Sequence, residues 1–256
     1  MTKKKMKFDY SPREMMAIVA AREIKDGDIV FCGTGVSMLA AMAAKHISAP
    51  ESVIIFETGA IDPKLEEIPL AVSDSRIMYG SSMNSGLADA FAIMQNQSTG
   101  QHGAAQIDMF GNLNSTTIGN YVNPTVRFPG SGGACDVASF VGKTIIFMQQ
   151  EKRRFVTKLD YLTSPGWLDG PRGREKEGLS KGGPVAVITN MATMRFDENT
   201  KEMYLDGYYN GITPKKILAN MGFGIDISRA HEIPPPSADE LRILREVCDP
   251  QRLILG

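Results

Sequence analysis

The sequence predicts an α/β fold with parallel strand wiring. Three observations carry this: a capping box that opens a helix near the start, a repeated alternation of apolar strand and helix, and a glycine turn between the first strand and the helix after it. The capping box is Ser11-Pro12-Arg13-Glu14. Ser11 can accept from first-turn amides, Glu14 can reach back, and Pro12 suits the first helical position. Met15 to Ile24 is apolar at helical spacing, and Gly27 supplies a stop. Ile29 to Cys32 reads as a short strand. Gly33-Thr34-Gly35 then turns the chain into a helix from Ser37 to Lys45, which Pro50 breaks. Ser52 to Phe56 is rich in β-branched residues, as expected of a strand buried on both faces.

Further along, Thr144 to Met148 and Val185 to Thr189 read as strands, separated by the polar stretch Gln149 to Lys158 and a loop reaching to about Pro184. Arg195 to Tyr209 reads as a hairpin around Asp197-Glu198-Asn199. Thr213-Pro214 caps a short helix that ends at Met221-Gly222. Ser237-Ala238-Asp239-Glu240 is a second capping box, opening a last helix to about Val247. No internal repeat or clear linker interrupts the pattern, so residues 1–256 are expected to form a single domain.

Of the 256 residues, 43% are hydrophobic and 22% charged, a balance that fits a globular chain. The formal net charge of −1 supplies no basic field for nucleic acid. Cys32, Cys135 and Cys248 lie far apart, with neither metal spacing nor a disulfide framework, which fits a reducing cytosol and a cytoplasmic location. Met1 to Lys7 is basic, but no signal-type apolar segment follows it. No apolar run reaches the roughly 20 residues of a membrane span, so neither membrane nor nucleic acid is expected as a partner.

Three places could carry chemistry. Gly33-Thr34-Gly35 could offer helix N-terminal amides to an anion, although the residues alone favour a tight turn, and the dinucleotide glycine spacing is absent. Glu57 directly follows the apolar run Val53 to Phe56. At the carboxyl end of a buried parallel strand it would stand in the usual ligand crevice, where partial desolvation strengthens a nucleophile or base; a helix cap or a surface ion pair is the alternative. Gly130-Ser131-Gly132-Gly133 could form an oxyanion hole or a diphosphate nest, or be only a strained loop. The cations Lys152, Arg153 and Arg154 could meet a phosphate, but the residues favour a solvated face or a subunit-contact helix. His46, His102 and His231 show no triad or metal spacing and read as structural or surface residues.

The motifs also occur in a distinctive order. Gly33-Thr34-Gly35 is followed by Phe56-Glu57-Thr58-Gly59, then Gly103-Ala104-Ala105-Gln106-Ile107-Asp108, then Gly111-Asn112-Leu113-Asn114-Ser115-Thr116. Gly130-Ser131-Gly132-Gly133, Gln149 to Phe155 and Asp160 to Gly170 complete the series. From Glu14 to Asp249 this chain resembles the β-type subunits of the glutaconate-type family I CoA-transferases. The resemblance implies an open layered sheet with mostly parallel strands and flanking helices, and a homologous α subunit as partner in a heterodimer or higher oligomer. It implies acyl-CoA and carboxylate substrates, and no metal or other cofactor beyond the substrate coenzyme A. It places the attacking carboxylate at Glu57, with Gly130, Gly132 and Gly133 as the oxyanion and CoA-binding loop. A relative on the same fold doing acyl-CoA hydrolysis, ring opening or decarboxylation is the alternative. One segment departs from the family pattern. Gln95 to His102 is polar where the family carries an apolar strand, and the apolar run sits earlier, at Ala90 to Met94. The strand is therefore expected either to be displaced or to line a pocket.

Overall fold

The computed structural model describes residues 9–95, 98–179 and 182–256, so the basic segment Met1 to Lys7 lies outside the described residues, as do Asn96 and Gln97. Ser11 opens α1 (Pro12–Arg22). Its Oγ accepts from the Glu14 N–H at 3.2 Å while its own N–H donates to the Glu14 carboxylate at 2.6 Å. β1 (Ile29–Cys32), α2 (Val36–Ile47) and β2 (Val53–Phe56) follow, with β1 and β2 parallel from Ile29 beside Val53 to Cys32 beside Phe56. Two short antiparallel strands, β3 (Ala60–Ile61) and β4 (Met83–Asn84), finish this edge. The chain then runs through α3 (Leu87–Ile93) and returns across the sheet as β5 (Thr99–Gly103), which pairs with the opposite side of β1.

Two small antiparallel ribbons come next: β6 (Gln106–Ile107) with β7 (Leu113–Asn114), and β8 (Thr117–Gly119) with β9 (Pro124–Arg127). The chain re-enters the main sheet through α4 (Ala134–Phe140) and β10 (Lys143–Met148), which runs parallel to β5. A short helix, α5 (Gly173–Lys176), precedes β11 (Pro184–Thr189), β12 (Ala192–Phe196) and β13 (Met203–Tyr208). α6 (Pro214–Ala219), β14 (His231–Glu232) and α7 (Ala238–Arg242) close the chain, α7 running on as a π-helical turn through Ile243–Cys248.

Among the described residues the main sheet is ten-stranded, in the order β14-β13-β12-β11-β10-β5-β1-β2-β3-β4. Its centre, from β11 to β2, is parallel, as the strand and helix alternation anticipates. The hairpin anticipated around Asp197 is present as antiparallel β12 and β13. The Asp197 carboxylate accepts from the Asn199 and Thr200 N–H groups in the turn. Helices cover both faces. Met38, Leu39 and Met42 of α2 pack with Val30, Ile54 and Phe56 on one side, and Ala90 of α3 and Val137 of α4 pack with Phe31 and Ile55 on the other. The fold is thus the open, mostly parallel layered sheet with flanking helices that the family resemblance implies.

The strand after α3 resolves the polar segment. The apolar run at Ala90 is helical, and the strand is the polar one, Thr99–Gly103, at the centre of the sheet. β1 leads to β2 on one side, while β5 leads to β10 on the other. The chain therefore reverses its direction of travel across the sheet between β1 and β5, where open α/β sheets form their ligand crevice.

Candidate active site

A cavity of about 530 Å³ lies at that reversal, outside the carboxyl ends of β1, β2, β5 and β10. Each strand end contributes to its wall: Gly33 and Thr34 after β1, Glu57 after β2, Gln101 to Ala104 at the end of β5, and Met148 and Gln149 at the end of β10. The other walls come from Met16 of α1, Val36 and Ser37 of α2, and the loop Ser131-Gly132-Gly133 that leads into α4.

Glu57 is the first residue past β2 and is half-buried. The turn that presents it is fixed on both sides. The Gly59 N–H donates to the Phe56 carbonyl at 2.9 Å, and the Thr58 hydroxyl donates to the Val72 carbonyl. Gly59 has φ +104°, and a β-carbon there would stand 2.0 Å from the Ser85 carbonyl oxygen, so only glycine fits this turn. Across from Glu57, Gly133 caps α4. A β-carbon on Gly133 would lie 2.8 Å from Glu57 Oε1, which brings the glycine loop backbone directly against the carboxylate. Gly132 and Gly133 thus share the cavity with Glu57. Gly130 stands outside the lining: its N–H donates to the Ser115 carbonyl and its own carbonyl accepts from the Ser115 hydroxyl, so it anchors the base of the loop.

Gly35, at φ +82°, makes the sharp entry into α2, and no side chain caps that helix. Val36 and Ser37, in the first turn of α2, line the cavity, which sets the positive end of the helix dipole at its wall. Gln149 to Arg154 forms tight turns rather than a helix. Its cations divide: Arg153 and Arg154 both donate to Glu151, at 2.8 and 3.0 Å, and of these two Arg154 lines the cavity. Cys32 also reaches the cavity wall, but burial pushes its thiol up to about 12, which leaves it inert. No group of three or more His, Cys, Asp or Glu side chains suited to a metal ion occurs among the described residues.

Two lining residues carry weight that the sequence pattern does not assign them. Gln101 is 3% exposed, with neither amide atom partnered among the described residues, and the Nδ1 of His102 is buried without a partner. Burial pushes the His102 imidazole down to about 4, so it is neutral at ordinary pH. The readable signal was the polar run before Gly103, which folds as a central strand whose end faces the cavity.

Known proteins share this fold and these motifs. The Coenzyme A transferase family matches residues 13–220. The chain is 43% identical to one of the subunits of glutaconate CoA-transferase from Acidaminococcus fermentans, over 94% of each chain. It is 35% identical to one of the subunits of 3-oxoadipate CoA-transferase from Pseudomonas knackmussii, over 92% of each. The crystal structure of the Acidaminococcus fermentans glutaconate coenzyme A-transferase superimposes with a TM-score of 0.94 at 41% identity, covering 97% of this chain and 98% of the other.

Proposed function

The chain belongs to the coenzyme A transferase family, and from that premise we propose that it is the β-type subunit of a heteromeric enzyme that moves CoA between carboxylic acids, glutaconate or a related dicarboxylate, through Glu57. The observation that carries this is the contact between Glu57 and Gly133: a carboxylate and a glycine-loop backbone face each other in the crevice of a parallel sheet.

The chemistry needs that pairing. The Glu57 carboxylate attacks the thioester carbonyl of an acyl-CoA; a C–O bond forms, the C–S bond breaks, and CoA leaves as the thiolate. The product is an acyl-glutamyl anhydride. The thiolate then attacks the glutamyl carbonyl, which releases the first acid as its carboxylate and leaves CoA on Glu57 as a thioester. An incoming carboxylate attacks that thioester, displaces the thiolate and forms a second anhydride. Thiolate attack on the new acyl carbonyl gives the new acyl-CoA and restores Glu57. Each step passes through a tetrahedral oxyanion. We assign that role to the backbone N–H donors of Gly132 and Gly133, which line the cavity with Glu57, and a single such donor is worth roughly 3 kcal/mol.

The half-buried setting of Glu57 serves a second need, because water would hydrolyse the anhydride. A homologous α subunit closing over the cavity would complete the exclusion. The N-terminus of α2 and Arg154 supply positive potential for the substrate carboxylate or the CoA phosphates. The test is CoA exchange by this chain purified together with its α subunit. The expected result is ping-pong transfer between two carboxylates, with no free CoA accumulating. Free CoA appearing without an acceptor acid, or no exchange across a panel of dicarboxylates, would overturn the reading.

A further inference from the structure

We propose that Phe91 is a positioning residue that favours transfer over hydrolysis: its ring edge screens the Glu57 carboxylate from water on the α3 side. The inference rests on the CoA-transferase reading and names the group that protects its covalent intermediates.

Gly133 locates the ring. A β-carbon there would lie 2.4 Å from Cζ and 2.8 Å from Cε1 of Phe91, and 2.8 Å from Glu57 Oε1. Ring edge and carboxylate therefore bound the same narrow gap beside the glycine loop. The edge of an aromatic ring is its positive part, so it can rest against a carboxylate oxygen without donating a hydrogen bond that would weaken the nucleophile. Among the described residues no hydrogen bond or ion pair holds the Glu57 carboxylate, which leaves packing to set its position within this chain. Phe91 does not line the cavity, so its part is to back Glu57 and not to hold the acyl group.

The ring is itself fixed from behind. Its centroid stands 5.6 Å from that of Phe31, and it packs against the cluster that includes Ile55, Ala90 and Met94. The helix that carries it is a thin cover. Of the seven residues of α3, Ala90 is the buried one, while Leu87 and Ile93 are 54% and 40% exposed. Phe91 thus stands between the carboxylate and a helix that lies at the surface.

Both intermediates are activated at the glutamyl carbonyl. Water attacking that carbonyl in the anhydride breaks its bond to the bridging oxygen, releases the acid as its carboxylate and restores Glu57, with CoA already free. The same attack on the glutamyl-CoA thioester breaks the C–S bond and releases CoA as the thiolate. Either route amounts to hydrolysis of acyl-CoA to acid and CoA. A carbon ring offers water no partner, whereas the space left by its removal would be roomy and would border a carboxylate able to bind water.

The test uses the purified complex of this chain with its α subunit, acetyl-CoA as donor and glutarate as acceptor, with glutaryl-CoA and free CoA measured in the same reaction. The wild-type complex should form glutaryl-CoA with little free CoA. Phe91→Ala should raise the ratio of free CoA to glutaryl-CoA by about tenfold or more, and Phe91→Leu, which keeps bulk against Phe31 but lacks the ring edge, by about threefold. If Phe91→Ala fails to assemble, Phe91→Leu carries the test. Met94→Ala removes a buried side chain from the end of the same helix; it should lower the melting temperature and keep the wild-type ratio. Phe91 variants with the wild-type ratio overturn the inference and leave the CoA-transferase reading intact. So does a Met94→Ala complex whose ratio rises as far as that of the Phe91 variants, because general loosening would then explain both. A wild-type complex that transfers CoA neither to glutarate nor to any other dicarboxylate overturns both readings.

Discussion

Gly133 stands so close to Glu57 that a β-carbon at position 133 would fall 2.8 Å from Glu57 Oε1 and 2.4 Å from Cζ of Phe91. The backbone of Gly133 has an ordinary φ of −78°, so the demand for glycine there is one of space and not of conformation. Gly133→Ala should therefore fold and still lose activity, because the carboxylate or the Phe91 ring must move aside. A displacement near 1 Å at a reacting group costs on the order of 100-fold. The expected outcome is a kcat/KM for CoA exchange lower by roughly 10- to 100-fold, with a melting temperature within a few degrees of wild type. Full exchange activity in this variant would remove the contact from the account.

Glu14 is fully buried and pairs with Arg245, whose guanidinium donates to both carboxylate oxygens at 2.6 and 3.2 Å. The pair joins the first helix to the C-terminal π-helical turn. Burial alone would push the Glu14 carboxyl up, but hydrogen bonds from Arg245 and Ser11, with the Arg245 charge, hold it below the usual carboxylate range. Arg245→Leu leaves an uncompensated buried carboxylate and should lower stability by about 2–3 kcal/mol, the partial exposure of Arg245 keeping the loss moderate. The pair's contribution is present above the ordinary glutamate pKa and is lost as pH falls through the lowered folded value. Urea denaturation of both proteins at neutral and acid pH checks magnitude and sign; the difference between them should shrink in acid.

His102 gives a second, separable acid response. Its folded pKa of about 4 lies below the ordinary 6.5, because burial disfavours the imidazolium. Between those values the unfolded chain binds the extra proton, so stability rises with pH across that window and falls on acidification. His102→Leu should flatten this part of the stability profile by roughly 1–3 kcal/mol. Denaturant midpoints measured from pH 7 to pH 4 should converge at neutral pH and separate in acid, with the variant the more stable there. Parallel curves would show that His102 is not held neutral.

The placement of α4, and with it the glycine loop, depends on Gly100. A β-carbon there would stand 2.3 Å from Val137 Cγ1 and 3.1 Å from Val141 Cγ2. Gly100→Ala should push α4 off β5, lowering stability by about 1–3 kcal/mol and exchange activity with it. Val137→Ala in the same chain removes the nearest clash and should recover part of both. A double variant no better than the single one would show that this packing does not position the loop.

Much of this architecture was legible in the sequence wherever a physical period was present. The capping boxes at Ser11 and Ser237 form as the residues dictate, and the runs ending at Cys32, Phe56, Met148 and Thr189 are strands. The family followed from motif order and is shown by the similarity to known CoA-transferases. β5 was harder to read because Thr99–Gly103 carries no apolar side chain although Thr99, Gly100 and Gln101 are buried, so hydrophobic periodicity does not reveal it; its end serves the cavity. The two-residue strands β3, β4, β6 and β7 are too short to carry any period. The division of labour within Gly130 to Gly133 was not legible either, because a glycine run does not say which residue anchors the loop and which faces the cavity. Only the Ser115 hydrogen bonds and the approach to Glu57 separate Gly130 from Gly133.

In the proposed mechanism Glu57 carries CoA covalently during turnover. The direct measurement is mass spectrometry of the purified two-subunit complex, incubated with acyl-CoA in the absence of an acceptor acid, quenched and digested. The expected result is a CoA adduct on the peptide containing Glu57, discharged by adding a carboxylate acceptor and absent from Glu57→Ala, which should also lose exchange. An adduct on another residue, or a Glu57→Ala complex that exchanges CoA at the wild-type rate, would contradict it.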